Sequence, residues 1–332
     1  MPTYSLVVPA YNEAAVIEEL TGRLRNVMDA LDGDAEAILV DDASRDHTYQ
    51  LMLEAARADP RFRAVRLSRN FGHQIALTAG VDLAVGDAVI VMDADLQDPP
   101  EVVLELAARW REGYDVVYGI RDVREGETRF KRATAAAFYR GFNRISEVKV
   151  PLDVGDFRLV DRRVLDVFSQ MRESNRFVRG MFSWIGLRQT AVLYTRKERF
   201  AGKTKYPLRK MIRFAATGVI SFSSAPLRAA LDLGFLVSAV SFAYGIWSVI
   251  VRVAGLYHVP GWTSIVVVST FLGGIQLIIL GVIGEYIGDI HDEVKRRPLY
   301  VIGELENFDD PPALPPRAVV ADPRATRADA RT

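Results

Sequence analysis

The sequence predicts an α/β protein with a mostly parallel sheet, followed by interfacial helices and two transmembrane helices. Three observations support this prediction. Short apolar runs rich in β-branched residues alternate with segments of helical periodicity from residue 3 to residue 120. Two later apolar runs of about 20 residues are long enough to cross a ~30 Å hydrocarbon core as helices. A mixed basic and apolar stretch precedes the first of these runs, as is typical of helices that lie in a membrane surface.

Composition excludes several classes of protein. The 332 residues allow roughly two domains. The formal net charge is +0, so no nucleic-acid partner is expected. The absence of cysteine excludes disulfides, thiolate catalysis and cysteine-based zinc sites. No signal peptide is expected, because the apolar run Leu6–Val8 is short and lacks a basic leader.

The first part of the chain alternates predicted strands with predicted helices. The strands are expected at residues 4–9, 37–40, 62–67, 88–92 and 114–118. The helices are expected at residues 16–31, after residue 46, at residues 74–85 and at residues 101–111. This alternation predicts βαβ units and a mostly parallel sheet.

The pattern is looser and more basic from about residue 121 to residue 206. A helix is expected at residues 130–145 and a second, partly buried helix at residues 177–185. Residues 157–160 and 189–194 are further strand candidates.

The most distinctive polar pattern follows the fourth predicted strand. Asp93 and Asp95 lie one residue apart where a buried strand should leave the sheet, and Pro99 and Pro100 end the turn. In an open α/β sheet, ligands bind beyond the carboxyl ends of the strands. Oxygen ligands in such a place suit Mg²⁺ or Mn²⁺. An acidic turn that caps the next helix is the alternative, and this motif alone does not decide between them.

The two long apolar runs, at about residues 229–251 and 264–283, predict a transmembrane hairpin. Basic residues flank the hairpin on both sides, whereas the connector between the runs has almost no positive charge. The positive-inside rule therefore predicts a multi-pass protein of the inner (plasma) membrane with both termini in the cytoplasm. Two buried helices of a soluble protein are the alternative.

These observations predict four parts. A cytoplasmic domain covers residues 1–206, juxtamembrane amphipathic helices cover 207–228, the hairpin covers 229–284 and a cytoplasmic tail covers 285–332. After Tyr300 the tail is rich in Pro, Ala, Asp and Arg and has no apolar periodicity. We therefore expect it to be disordered after about residue 303.

The motifs together resemble those of family 2 glycosyltransferases. Five of them come in the order seen in that family, at residues 8–13, 40–46, 68–72, 92–101 and 155–158. The likeness runs from about residue 3 to residue 302. More narrowly, the chain resembles the polyprenyl-phosphate glycosyltransferases, which include bactoprenol glucosyltransferases and dolichol-phosphate mannose synthases. Segments 273–277, 284–288 and 295–300 are similar to the membrane end of the bacterial branch.

The resemblance implies a GT-A domain that binds a nucleotide sugar. It implies inverting transfer of one sugar to a polyprenyl phosphate such as undecaprenyl phosphate. UDP-glucose is the favoured donor, and GDP-mannose, a UDP-aminosugar or UDP-galactose are alternatives. A processive polysaccharide synthase is less favoured, because the Gln-X-X-Arg-Trp motif of those enzymes is absent from its place. A non-enzymatic membrane scaffold is also less favoured, since clustered carboxylates repel one another without a cation. A homo-oligomer is compatible with the sequence.

The resemblance also implies roles for individual residues on the donor side. Mg²⁺ or Mn²⁺ would bind Asp95 and Gln97, with Asp93 as a further ligand, and would neutralise the departing diphosphate. The nucleotide sugar would contact Pro9, Tyr11, Glu13, Asp42, Asp93 and Asp95. For Asp42, a helix-capping carboxylate is the alternative.

On the acceptor side, basic residues match a region that holds the lipid phosphate in the family. They are Arg121, Lys131, Arg132, Arg199 and Lys203. Arginine suits phosphate because its planar fork donates two parallel hydrogen bonds. A solvated basic face near anionic lipid is the alternative. Ala136 stands where the dolichol branch has a serine, which leaves the register around Arg132 open.

The resemblance marks Asp156 and Asp95 as catalytic, with Asp156 nearest the reacting centre. A phosphate monoester has a second pKa of about 6, so little proton abstraction is left to do. We therefore expect Asp156 to orient acceptor or donor rather than to act as a general base. The four histidines, His47, His73, His258 and His291, show no ligand spacing and are interpreted as ordinary.

Overall fold

The computed structural model describes residues 2–121, 154–195, 225–254, 261–308 and 313–321. The chain divides into two compact units. The first contains residues 1–143, 148–207 and 296–332, and the second contains residues 144–147 and 208–295.

The first unit is built on a nine-stranded mixed sheet. Its strands are β1 (Tyr4–Ala10), β2 (Ala35–Asp41), β3 (Phe62–Leu67), β4 (Ala88–Val91), β5 (Val116–Arg121), β6 (Val154–Asp161), β7 (Gln189–Tyr194), β8 (Tyr300–Glu306) and β9 (Ala318–Val320). They are arranged in the order β7-β5-β6-β4-β1-β2-β3-β8-β9. Most neighbours pair in parallel, but β6 runs antiparallel to β4 and β5, and β8 runs antiparallel to β3. The predicted α/β fold with a mostly parallel sheet is confirmed.

In the described part of the first unit, six α-helices connect and cover these strands. They are α1 (Ala14–Ala30), α2 (Thr48–Ala58), α3 (His73–Leu83), α4 (Val103–Arg111), α5 (Arg162–Phe168) and α6 (Val178–Ile185). The apolar face predicted for α1 is buried, as shown by Val16, Leu20, Leu24 and Val27. Strands β1, β2 and β4 are buried along their whole length, as expected for parallel strands covered on both faces. The predicted helix at residues 130–145 lies outside the described residues.

Helix α3 packs unusually close to the sheet. Its Gly80 lies against Val7 of β1, and a Cβ atom at this position would clash with the Val7 side chain. Glycine is therefore needed here to let a helix approach the strand. This close packing fixes the position of the helix relative to the carboxyl ends of the central strands.

The C-terminal segment returns to the sheet, which contradicts the predicted disorder for the described residues 304–308 and 313–321. Strand β8 continues past residue 303, where its Glu304, Leu305 and Glu306 pair with β3. Arg317, just before β9, donates to the Ser174 hydroxyl at 2.7 Å and to the Arg172 carbonyl at 2.5 Å. The prediction failed because a strand of a few residues at a sheet edge leaves almost no periodicity in a sequence rich in proline and alanine.

The second unit contains two long apolar helices, α7 (Ala225–Val253) and α8 (Trp262–Val294). Both contain a candidate membrane span, with a mean hydropathy of 1.9 in Leu227–Val251 and of 2.1 in Val267–Val294. None of the most apolar window of either helix is buried, whereas the core helix of a soluble protein would be mostly buried. The exposed apolar side chains therefore favour membrane association. The predicted amphipathic helices at residues 207–228 lie almost entirely outside the described residues.

Candidate active site

Four neighbouring strands bring the predicted site residues to one edge of the sheet. Strands β1, β2 and β4 are parallel, so their carboxyl ends lie together. Strand β6 is antiparallel to β4, with Arg158 opposite Val91. Continuing this register by two residues places Asp156 beside Asp93. Motifs that are far apart in the sequence therefore lie next to each other at this edge of the sheet.

The centre of this place is a cluster of charged groups around Asp156, which is only 3% exposed. Arg179 donates to the Asp156 carboxylate from Nε at 2.8 Å and from Nη2 at 3.2 Å. Gln74 donates to the same carboxylate at 3.2 Å. His73 Nε2 lies 3.3 Å from Asp156 Oδ2 and 3.3 Å from Asp93 Oδ1. Helix α3 thus supplies two residues, and β6, α6 and the turn after β4 supply one each.

A buried aspartate holds the loop that presents His73. Asp42 accepts hydrogen bonds from the backbone N–H of Phe71 at 2.7 Å and of Gly72 at 2.9 Å. Gly72 has φ of 97°, which L-residues other than glycine rarely adopt. Burial raises the pKa of Asp42. Its carboxylate therefore orients the start of α3, and its predicted contact with the nucleotide stays a prediction.

The charges in the cluster shift each other's ionisation. Burial by itself would lower the pKa of His73, but the hydrogen bond with Asp156 and the charge of Asp93 outweigh it and raise the pKa to about 9. Burial raises the pKa of Asp93 to about 6. Asp156 is buried as well, yet the charge of Arg179 and the hydrogen bond with His73 hold its pKa well below the usual range. At neutral pH the cluster therefore combines an imidazolium and a guanidinium with two carboxylates, those of Asp156 and Asp93, since Asp93 with a pKa of about 6 is mostly ionised.

The two carboxylates of this cluster fit a divalent cation, which His73 could join as a ligand only after losing a proton, because an imidazolium has no free lone pair. One ligand atom from each of His73, Asp93 and Asp156 lies within 4.8 Å of the other two. Asp93 Oδ1 is buried and accepts no hydrogen bond within the described part of the chain. A carboxylate oxygen without a donor is the kind of ligand that Mg²⁺ and Mn²⁺ prefer.

The turn after β4 carries the two other predicted metal ligands. Asp95 Oδ1 accepts a hydrogen bond from the backbone N–H of Gln97 at 3.1 Å. Leu96 between them has φ of 57°, so the turn is tight. The group that surrounds Asp93 contains His73 and Asp156, and metal binding by Asp95 and Gln97 stays a prediction.

The remaining predicted donor contacts lie at the end of β1. Pro9 is buried within the strand, Tyr11 is 39% exposed and the backbone N–H of Glu13 donates to Thr48 Oγ1 at 2.8 Å. Asn12 has φ of 55°, and its side chain accepts a hydrogen bond from the Arg45 N–H at 2.8 Å. The loop after β1 is therefore hydrogen-bonded to the loop after β2, at the same edge of the sheet as the charged cluster.

The predicted acceptor residues are almost all outside the described residues. Arg121 is the last residue of β5, which neighbours β6. The others, Lys131, Arg132, Arg199 and Lys203, fall in segments that the structure does not describe. Their role in binding phosphate stays a prediction.

Sequence reasoning missed three residues of the cluster. The interpretation of His73 as ordinary is wrong, and Gln74 and Arg179 were not considered as site residues. A signal existed for the first two, because they directly follow the motif at residues 68–72. Arg179 lies in an apolar run, where the sequence indicated only a buried helix.

Comparison with known proteins identifies the family. Residues 5–168 match glycosyl transferase family 2, and residues 225–290 match the GtrB C-terminal hairpin. The chain is 49% identical to "Uncharacterized glycosyltransferase YkcC" of Bacillus subtilis (strain 168), over 90% of this chain and 93% of that protein. The chain belongs to glycosyltransferase family 2. The predicted family is thereby confirmed, and the chain is a hexosyltransferase with a GT-A fold.

Two further similarities complete the comparison. This glycosyltransferase is 42% identical to "Bactoprenol glucosyl transferase" of Shigella phage SfII, over 90% of this chain and 96% of the phage protein. Among solved structures, it is similar to mannosyl-3-phosphoglycerate synthase from Rubrobacter xylanophilus, with 17% identity and a TM-score of 0.47. That match covers 66% of this chain and 72% of the synthase, and a similarity of this size supports no argument about function.

Proposed function

We propose that this glycosyltransferase transfers one sugar, with UDP-glucose as the favoured donor, to a polyprenyl phosphate such as undecaprenyl phosphate. The observation that carries the proposal is the 42% identity, over 90% of the chain, with a phage protein named bactoprenol glucosyl transferase. The two exposed apolar helices support it, because an enzyme that acts on a lipid phosphate needs access to a membrane. GDP-mannose, a UDP-aminosugar and UDP-galactose are the alternative donors.

The donor would bind at the carboxyl ends of β1, β2 and β4, with the nucleotide near Pro9, Tyr11, Glu13 and Asp42. Asp93, Asp95 and Gln97 would hold Mg²⁺ or Mn²⁺ beside its diphosphate. A cation bound there acts as a Lewis acid that neutralises the departing diphosphate. The buried Asp93 Oδ1, which accepts no hydrogen bond in the described structure and lies 3.3 Å from His73 Nε2, supports this assignment.

The acceptor phosphate is already ionised near neutral pH, since its second pKa is about 6. Its oxygen would attack the anomeric carbon on the face opposite UDP, and the bond from that carbon to the diphosphate oxygen would break, with the electron pair leaving on UDP. Because Arg179 keeps Asp156 ionised and weakly basic, this carboxylate suits positioning and charge stabilisation rather than proton abstraction. Inversion would give a β-linked lipid from an α-linked donor.

A transfer assay tests the proposal. Membranes that contain the protein are incubated with undecaprenyl phosphate, Mg²⁺ and a panel of radiolabelled nucleotide sugars. We expect label from UDP-glucose to enter the lipid fraction as a β-linked glucosyl phosphate. Labelling from a different donor would change the sugar, and an α-linked product or no lipid product from any donor would contradict the proposal.

The metal assignment has its own test. Asp95→Ala should lower the transfer rate by at least about 100-fold, as expected for the loss of one preorganised electrostatic contact. EDTA should abolish transfer in the wild type, and added Mg²⁺ or Mn²⁺ should restore it. The matched control is Asp87→Ala, because Asp87 is exposed at the opposite end of β4. Full activity in EDTA would disprove the need for a metal.

For the membrane unit, we propose a hairpin in the plasma membrane with both termini and the GT-A domain in the cytoplasm. The charge difference between the flanks and the connector supports this orientation. The chain has no cysteine, so single cysteines can be introduced at positions 258 and 320 without background labelling. In intact cells, an impermeant thiol reagent should label position 258 and leave position 320 unlabelled. The reverse pattern would refute the orientation.

A further inference from the structure

We propose that Arg179 and Gln74 are positioning residues, which hold the Asp156 carboxylate in the orientation that sugar transfer requires. The inference rests on the function proposed above and concerns two side chains that no motif of the sequence singled out. Both residues would act through Asp156 and would not touch the substrate themselves.

In the described structure, the side chains of Arg179, Gln74 and His73 contact the Asp156 carboxylate through nitrogen atoms. Arg179 binds both of its oxygens, from Nε at 2.8 Å and from Nη2 at 3.2 Å, which is the two-point contact that fixes a carboxylate in a plane. Gln74 Nε2 at 3.2 Å and His73 Nε2 at 3.3 Å contact Oδ2. Rotation of the carboxylate would break several of these contacts at once.

Gln74 is itself held in one orientation. Its Oε1 accepts a hydrogen bond from the backbone N–H of Val178 at 3.1 Å. Since a backbone N–H can only donate, the oxygen of the amide must face Val178 and the amide nitrogen must face Asp156. Gln74 therefore links α3, the start of α6 and β6 through a single side chain.

The helix that carries Arg179 is firmly seated. Val178, Met181 and Phe182 of α6 are buried, and the ring of Phe182 stacks on Phe168 with centroids 4.7 Å apart. On its other side, the Phe182 ring has the Arg158 guanidinium 5.0 Å from its centroid. A side chain on such a support can place a carboxylate more accurately than one on a loop.

Arg158 fixes the backbone under the carboxylate. It donates to the Gly155 carbonyl at 2.9 Å and to the Asp156 carbonyl at 3.3 Å, and it is buried. The main chain of Asp156 is thus held by Arg158, and its side chain is held by residues of α3 and α6. The backbone of Asp156 is therefore fixed, and the orientation of its carboxylate depends on Arg179 and Gln74.

The surroundings distinguish this arrangement from a purely structural ion pair. The Arg179 side chain is 28% exposed and lies at the edge of the sheet where the donor is proposed to bind. Asp93 lies next to Asp156, and two neighbouring carboxylates repel each other unless a cation is shared between them. Arg179 supplies a positive charge to Asp156, and His73 Nε2, which lies 3.3 Å from an oxygen of each aspartate, supplies one between them.

A double-mutant cycle tests whether Arg179 acts through Asp156. Arg179→Gln should lower kcat by about 100-fold, the loss expected when a catalytic group is misplaced by about 1 Å, with KM for the donor changed less than about threefold. Arg179→Lys keeps the charge but not the two-point contact, so its loss should be smaller. The double variant Arg179→Gln, Asp156→Asn should be no slower than Asp156→Asn alone. If the two losses multiply, Arg179 acts independently and the inference is overturned.

A second measurement needs no activity. The imidazole ¹⁵N signal of His73, assigned by its disappearance in His73→Gln, reports whether Asp156 has kept its place. It should shift in Arg179→Gln and in Gln74→Leu, and it should stay unchanged in the matched control Arg172→Lys, which alters an equivalent arginine–aspartate pair at the far end of α3. An unchanged His73 signal in Arg179→Gln overturns the inference. If the wild type makes no lipid product, the proposed function fails while this signal still decides the role of Arg179.

Discussion

An aspartate–arginine pair lies near each end of helix α3, and the two pairs differ in their surroundings. At its N-terminal end, Gln74 reaches Asp156, which Arg179 binds at 2.8 and 3.2 Å. At its C-terminal end, Asp82 accepts hydrogen bonds from Arg172 at 2.8 and 3.1 Å. The distances are similar, but Arg179 donates from two nitrogens, whereas Arg172 donates to both oxygens of Asp82 from Nη1 alone.

The C-terminal pair is closed off from solvent. The Asp82 side chain is 0% exposed and that of Arg172 is 8% exposed, and Tyr300 of β8 donates a further hydrogen bond to Asp82 at 2.7 Å. Burial raises the pKa of Asp82 in spite of Arg172 and Tyr300. The pair thus joins the returning C-terminal strand to α3 in a place that is closed to solvent.

The N-terminal pair, by contrast, borders an open site. The side chains of His73 and Asp93 are 40% and 31% exposed, and Asp93 keeps one oxygen without a hydrogen bond in the described structure. An arginine–aspartate pair therefore stabilises the fold where it is sealed from solvent, and positions a reactive group where it borders partly exposed polar side chains. Three predictions test this difference, from the largest effect to the smallest.

Breaking the sealed pair should have the largest effect on stability. Asp82→Ala leaves the Arg172 charge buried without its partner, so we expect the free energy of unfolding to fall by about 3–5 kcal/mol. Denaturant unfolding of the purified protein measures this loss, with Asp87→Ala as the exposed control. A loss below about 1 kcal/mol would mean that the pair is solvated in solution and that the comparison fails.

A smaller loss is expected for Tyr300→Phe, which removes only the hydroxyl that donates to Asp82. A hydrogen bond to a charged group contributes about 1.5–3 kcal/mol. The kcat of transfer should change less than about twofold, since β8 lies across the sheet from the site, beyond β1, β2 and β3. A large fall in kcat with unchanged stability would show that the C-terminal strand acts on catalysis.

The smallest effect is a pH dependence at the open end. The folded-state pKa of His73, about 9, lies above its ordinary value of 6.5, so its stabilising contribution is complete below about pH 6.5 and is lost as the pH rises through about 9. We expect the wild type to unfold at a higher temperature than His73→Gln near pH 7, and this advantage to vanish near pH 10. Both proteins are compared in EDTA, so that bound metal does not mask the difference. An advantage that stays constant over this range would contradict the imidazolium.

The C-terminal segment shows where sequence reasoning stops. The sequence indicates disorder after about residue 303, yet β8 continues to Glu306, and its first residue, Tyr300, reaches Asp82 across a separation of 218 residues. The strand is stable because β3 offers an unpaired edge and α3 offers a buried carboxylate, and neither partner can be found by examining the tail itself. Composition predicts disorder correctly only for a segment that makes no stabilising contacts with the rest of the fold.

Local patterns by themselves determined much of this protein. The alternation of apolar runs and helical faces predicted the parallel strands and the first helices, because periodicity of two or 3.6 is a property of neighbouring residues. The same holds for the two apolar helices and for the carboxylates of Asp93 and Asp95 at a strand end. The order of the motifs was enough to predict the family.

Only the tertiary structure decided how the site is assembled. Asp156 meets Asp93 because β6 runs antiparallel to β4, and a change of one residue in that register would turn Asp156 to the other face of the sheet. Gln74 and Asp156 are 82 residues apart, and Arg179 reaches the same carboxylate from a helix whose sequence indicated burial. Such contacts depend on the packing of distant segments, and the sequence of one segment does not indicate which other segment it will contact.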